Sequence, residues 1–199
     1  MIRIVYFDGE EVRTDVTPDD VGGLLRDTQG VLWVDLVETP VSEARPLLEN
    51  TFGFHPLAVD DALEETHIPK VDDWQTYLYI ALYGIHVDMT QEDLLELPEL
   101  DCFLMPRCLV TYQAQTASTV ERLRQTVLTD PRAFSGGAPH LFYQLLDRLM
   151  VDYMLALETL DARVEELGRM LGGARETSRR LARELLTQTA DRREEEAGA

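Results

Sequence analysis

The stretch FGFHPLAVDDALEETHIPKVDDW, Phe52 to Trp74, decides how the chain is read. It holds two of the four histidines, a run of carboxylates, two prolines and the single lysine, Lys70. Three readings compete for such a set: a metal site, a catalytic cleft, or a polar piece of framework. His55 and His67 with Asp60, Asp61, Glu64 and Glu65 are ligand types that zinc accepts. A zinc-dependent hydrolase around His55, Asp60, Asp61 and His67 is therefore the remote enzyme reading. The spacing argues against it. On one helix His55 and Asp60 do not share a face, His67 falls past the expected helix end, and the chain has no HExxH. Pro56 suits the first turn of a helix, with His55 ordering the start, so the stretch reads better as framework.

Working outward, the chain has 199 residues, 45% of them hydrophobic, enough for one ordinary domain or a domain with an appendage. Its 18 basic and 37 acidic residues give a formal charge of -19. Such a surface repels a phosphate backbone, which excludes nucleic acid as a partner, and it suits divalent cations, a basic protein face or plain solubility. The two cysteines, Cys102 and Cys108, flank FLMPR, read as a hairpin turning near Pro106 and Arg107. That register pairs Cys102 with Thr111, which argues against a disulfide and for a reducing compartment. The amino terminus lacks the pattern of a signal peptide, and no window reaches the roughly 18 apolar residues of a membrane span. No phosphate-binding glycine loop, GxSxG elbow or paired CxxC is present, so the expectation is a protein that is not an enzyme.

Two regions follow from the patterning: residues 1–135 as a mixed-sheet α/β/α domain, and 136–199 as a long helical hairpin extending from it. MIRIVYF, VLWVDLV, TYLYIALYGIHVD, DLLELPELDCFLM and CLVTYQA are strand candidates, the last three able to form an antiparallel meander. VSEARPLLENTF, with Ser42 as candidate cap, and HPLAVDDALEE are helix candidates, and STVERLRQTVLTD follows with Ser118 as cap. The predicted fold is α/β, a mixed sheet with flanking helices in an α/β/α sandwich, followed by a long antiparallel helical pair. Leu145, Leu149, Tyr153, Leu157, Leu160, Val164, Leu167 and Leu171 recur every three or four residues, one stripe of a long helix. From about Pro139 to Leu171 that helix is roughly 50 Å long at about 1.5 Å per residue. Gly172-Gly173 is read as its break, with Leu181, Leu185 and Leu186 giving the second helix of the pair a thin apolar face.

Two acidic positions stand apart from this framework. Asp88, after a strand, clusters with Glu92 and Asp93 on an expected loop, where a hard cation needs only a few oxygens. Asp152 flanks the apolar stripe of the long helix, either as a ligand or as part of its exposed side.

The pattern of Phe52 to Leu57, the acid pair Asp60-Asp61, Pro69 to Val71 and the aromatic strand Tyr77 to Gly84 resembles the soluble amino-terminal domain of the CorA family of divalent-cation transporters. The order that follows, strands, a short helix and then YQLLDRLMVDYMLALETLDARVEELGRML, agrees with it. The resemblance implies a homopentamer whose subunits each carry a cytoplasmic α/β/α domain, a long stalk helix and two membrane helices. It implies a Gly-Met-Asn motif at the pore mouth selecting hydrated magnesium, with related members carrying cobalt, nickel or zinc. Ions bound between neighbouring subunits would hold the closed state. By the same resemblance Asp88 and Asp152 are the metal residues, while Val151 departs from the family acid beside Asp152. The stalk helix, the membrane helices and the Gly-Met-Asn motif are expected beyond these residues. The chain is therefore expected to be a truncated cytoplasmic regulatory domain, at the inner face of the cell membrane in the full-length protein. It would sense magnesium, or cobalt, nickel or zinc, by weak binding and would not itself transport. The alternative is a free-standing soluble interaction or oligomerisation module that kept a CorA-like fold and uses the stripe from Leu145 to Leu171.

Overall fold

The computed structural model describes residues 1–64, 68–87 and 95–197, with side chains in the last helix through residue 181 and at 183. The chain divides into two units, Met1–Met154 and Leu155–Ala199.

The first unit is built on a mixed seven-stranded sheet. Its strands are β1 (Ile2–Phe7), β2 (Val12–Arg13), β3 (Val31–Val37), β4 (Lys70–Asp73), β5 (Leu78–Tyr83), β8 (Glu99–Leu104) and β9 (Cys108–Gln113); β6 (His86–Val87) and β7 (Leu95–Glu96) form a separate two-stranded pair. The spatial order is β2-β1-β3-β9-β8-β5-β4, and only β3 and β9 run parallel. The expected meander is β5, β8 and β9, antiparallel throughout. Cys102 stands opposite Thr111, as the hairpin reading requires, and both cysteines are free and buried.

Every residue of β3 is buried, as expected of a strand covered on both faces. Leu32, Val34 and Leu36 enter one apolar cluster with Phe54, Ala58, Val59 and Phe103. Val31 and Trp33 enter the other with Leu100, Leu109, Leu123, Leu141 and Leu145. The first layer is carried by α1 (Pro18–Leu24), α2 (Val41–Pro46), a wide π-type turn at Leu47–Thr51 and α3 (Pro56–Leu63). The second is carried by α4 (Ser118–Thr129), a short 3-10 turn at Pro131–Phe134 and the first turns of α5 (Gly137–Ala197). The sandwich is therefore α/β/α. Leu36, Leu100, Leu109, Leu123, Leu141 and Leu145 expose none of their surface, and each contributes about 1.5–3 kcal/mol by leaving water.

Two caps differ from expectation. Pro40 and not Ser42 precedes α2, and α4 is capped at Ala117 without a side chain of its own segment. Gln113 accepts the Ala117 N–H instead, at 2.7 Å, so a residue of β9 starts α4.

The expected helical pair is not formed. Gly172 and Gly173 lie inside α5, which is a single helix of 61 residues. Neither glycine has the left-handed φ that a turn would exploit. Glycine in a helix costs about 1 kcal/mol relative to alanine, which weakens a helix without ending it, and no proline follows to enforce a stop. In the second unit Leu157, Val164, Leu167 and Leu171 are exposed.

Candidate functional site

The described residues of Phe52–Trp74 are committed to structure. Gly53 adopts φ +72, a left-handed conformation that costs glycine nothing, and this turns the chain between Phe52 and Phe54. Their rings stack at 5.2 Å, and Phe54 stacks on Phe103 of the sheet at 4.3 Å. His55 caps α3: its Nδ1 accepts the Leu57 N–H at 3.2 Å, its own N–H donates to the Tyr77 hydroxyl at 2.8 Å, and its ring stacks on Trp74. Asp60 accepts from Arg45 of α2 at 2.7 Å. Asp61 accepts from Lys70 of β4 at 2.5 Å, and Lys70 also reaches Asp72 at 3.1 Å. These ion pairs tie α3 to α2 and to the sheet edge, which is why the stretch carries so many charges. His67 and Glu65 lie outside the described residues. Among the described residues no three His, Cys, Asp or Glu side chains stand together as a metal cluster.

Asp152 is different. It lies in the part of α5 that belongs to the first unit, with 13% of its side chain exposed. Two residues of α4 hold it. The Thr119 hydroxyl donates to Oδ2, and Arg122 Nη2 donates to Oδ1 at 2.6 Å and to Oδ2 at 2.5 Å. Thr119 and Arg122 are three apart on α4 and so share a face. Thr119 is itself buried, while the Arg122 side chain is 49% exposed. The next residue, Tyr153, donates its hydroxyl to the Tyr83 carbonyl at 3.2 Å, fixing α5 against the end of β5.

Behind this pair, α4 is fastened to the sheet by a polar chain. Gln113 Nε2 donates to Asp35 Oδ1 at 2.8 Å, and the Thr111 hydroxyl donates to the same oxygen at 2.7 Å. Asp35 Oδ2 and Arg124 Nε are buried without a hydrogen-bond partner among the described residues. Burial pushes the Asp35 carboxyl upward, against hydrogen bonds from Thr111 and Gln113 that pull it down.

Asp88, the other expected metal residue, lies outside the described residues, as do Glu92 and Asp93. The strand residue before them, His86, lines a cavity of about 220 Å³ that Thr119 and Glu96 also line. The structure thus gives Asp152 two partners, Thr119 and Arg122, that sequence reading missed. Their i,i+3 spacing was visible in STVERLRQ, but the helix they face was not.

Residues 28–192 match the family model described as CorA-like Mg2+ transporter protein. The chain is 25% identical over 168 residues to the cobalt/magnesium transport protein CorA of Thermotoga maritima, a match covering 83% of this chain and 48% of that protein. The chain spans about half or less of the length of the curated relatives it matches. Its fold is similar to the soluble domain of CorA from Methanocaldococcus jannaschii, with a TM-score of 0.66 at 21% identity over 86% of this chain and 64% of that one. It is also similar to the cytoplasmic domain of ZntB from Vibrio parahaemolyticus, with a TM-score of 0.59 at 16% identity over 83% of this chain and 64% of that one. At those identities the two structures speak for the fold alone.

Proposed function

This chain belongs to the CorA-like Mg2+ transporter protein family, a family of transporters and not of enzymes, and from that premise we propose that it is the cytoplasmic, ion-sensing domain of a divalent-cation channel. The single observation that carries the reading is the coincidence of family and fold: the match runs over residues 28–192 and the α/β/α unit is similar to a CorA soluble domain. No helix among the described residues is long and apolar enough to cross a membrane, so conduction belongs to other segments of such a channel. The chain senses and does not itself transport.

Asp152 and Asp88 are the proposed metal residues. The oxygens around Asp152, its own carboxylate and the Thr119 hydroxyl, are the donors a hard cation takes. They are too few to enclose one, so a magnesium ion here keeps most of its water and takes further oxygens from a neighbouring subunit of a homopentamer. Cobalt, nickel and zinc are the other candidate ions. An ion bound only in the closed arrangement stabilises it by mass action, and its loss leaves carboxylates that repel.

The test is titration of the purified chain with MgCl2 at constant ionic strength, followed by calorimetry and sedimentation. Weak binding that is lost in the Asp88→Ala/Asp152→Ala variant, with ion-dependent association of the wild type, is expected. Equal binding by the variant would remove the sensing role.

A further inference from the structure

We infer that Arg122 is an internal competitor of the cation at Asp152, a guanidinium that occupies the carboxylate and must leave it when an ion binds. The inference rests on the reading of Asp152 as a metal residue and adds how that residue is regulated. Its basis is an asymmetry. Asp152 is mostly buried and fixed, held by the buried Thr119 from one side. Arg122 lies over it with about half its side chain in solvent and touches both carboxylate oxygens through one nitrogen. Among the described residues the one other hydrogen-bond partner of that side chain is the Ser118 hydroxyl at 3.3 Å, a long contact on its own helix. Arg122 is therefore the more solvent-accessible member of the pair and Asp152 the more enclosed one.

The guanidinium nitrogen bridges both carboxylate oxygens and puts a positive charge where a divalent cation would sit, so the two compete for that side of the carboxylate by charge and by position. Binding then is an exchange: the ion takes the Asp152 oxygens, the Thr119 hydroxyl remains, and the guanidinium goes to solvent. The exchange lowers apparent affinity by the strength of the ion pair. It also releases one of the contacts through which α4 holds α5, so that occupancy of the site is felt by α4 and, through Gln113, by the centre of the sheet.

The experiment measures magnesium binding by calorimetry, with ionic strength held constant by NaCl, for the wild type, Arg122→Gln, Arg122→Lys and Asp152→Asn. Arg122→Gln is expected to bind magnesium roughly 3- to 10-fold more tightly, the range that follows from an ion pair at or slightly above the usual exposed strength. Arg122→Lys, which keeps the charge, stays near wild type, and a merely structural role for the arginine predicts no such split. Asp152→Asn binds more weakly than wild type. Weaker binding by Asp152→Asn with no gain in Arg122→Gln overturns the competitor role while leaving Asp152 as a metal residue. Unchanged binding in Asp152→Asn overturns both. Absence of binding in the wild type and in Arg122→Gln also overturns the proposal, since releasing the guanidinium would then have uncovered no site.

Discussion

Asp101 is buried on β8, and its Oδ1 accepts the Tyr79 hydroxyl at 2.6 Å. Burial pushes its carboxyl up to about 8; the Tyr79 hydrogen bond and Lys70 oppose this, while Glu99 and Asp61 add to it. The folded chain thus keeps a proton that the unfolded chain has lost above about pH 4, the ordinary carboxylate range. The stability contributed by this group is fully present below that value and is lost as pH rises towards 8. Replacing Asp101 with Asn should flatten that slope, so that urea unfolding at pH 5 and pH 8.5 differs by about 2 kcal/mol or more less than in the wild type. An unchanged slope would assign the loss to another group. Asp8, held low by the Glu11 N–H, and Asp20, held low by the Thr17 hydroxyl, act in the opposite direction and only below their ordinary value of 3.8. The two windows do not overlap. Individual side chains were partly legible in the sequence. The place of His55 at the head of a helix follows from the proline beside it, a local rule. The partners of Asp61, Asp101 and Asp152 come from other elements, and nothing within a few residues of each one names them.

α5 is legible as a helix because its apolar period is strong, whereas its continuation is not, because Gly172-Gly173 reads as a break that the helix runs through. What decides is the sum over the segment: flanking residues such as Arg169, Met170, Leu171, Ala174 and Arg175 are strong helix formers, which offset two weak positions. A Cβ at Gly172 or Gly173 meets nothing within 4 Å. The Gly172→Ala/Gly173→Ala variant should therefore gain helix stability, by about 0.5–1 kcal/mol per site, read as a higher helical circular dichroism signal on heating. A loss of stability would mean that the glycines serve a turn. The strands were easier. β3 and β9 declared themselves by β-branched and aromatic runs, and the Cys102 register followed from the hairpin. The two short strands β6 and β7 were absorbed into longer runs, since two-residue pairings leave no periodic trace.

A formal charge of -19 on 199 residues opposes compactness by self-repulsion, and monovalent salt screens it over about 10 Å at 0.1 M. Raising NaCl from roughly 20 to 500 mM should therefore raise the midpoint of thermal unfolding by several degrees; a flat response would mean that the repulsion is already locally compensated by pairs such as Lys70–Asp61 and Arg45–Asp60. Any stabilisation by magnesium beyond an ionic-strength-matched NaCl control then reports binding and not screening. The fold class was legible from strands mixed with helices, but the order of strands was not, because sequence neighbours do not say which edges meet. That order bears on how the chain acquires its structure. β9, last of the seven to be made, is inserted between β3 and β8, so the strands before it form two three-stranded pieces, β2-β1-β3 and β8-β5-β4, with no hydrogen bonds joining them. On the ribosome the sheet stays in halves until Gln113 has emerged. β9 finds β8 through a three-residue loop, a fast local step, and then must meet β3 across some seventy intervening residues, a slow one. Until that meeting, the inner edge of each half is an open strand, and this interval is when a newly made chain is most exposed to pairing with the wrong neighbour.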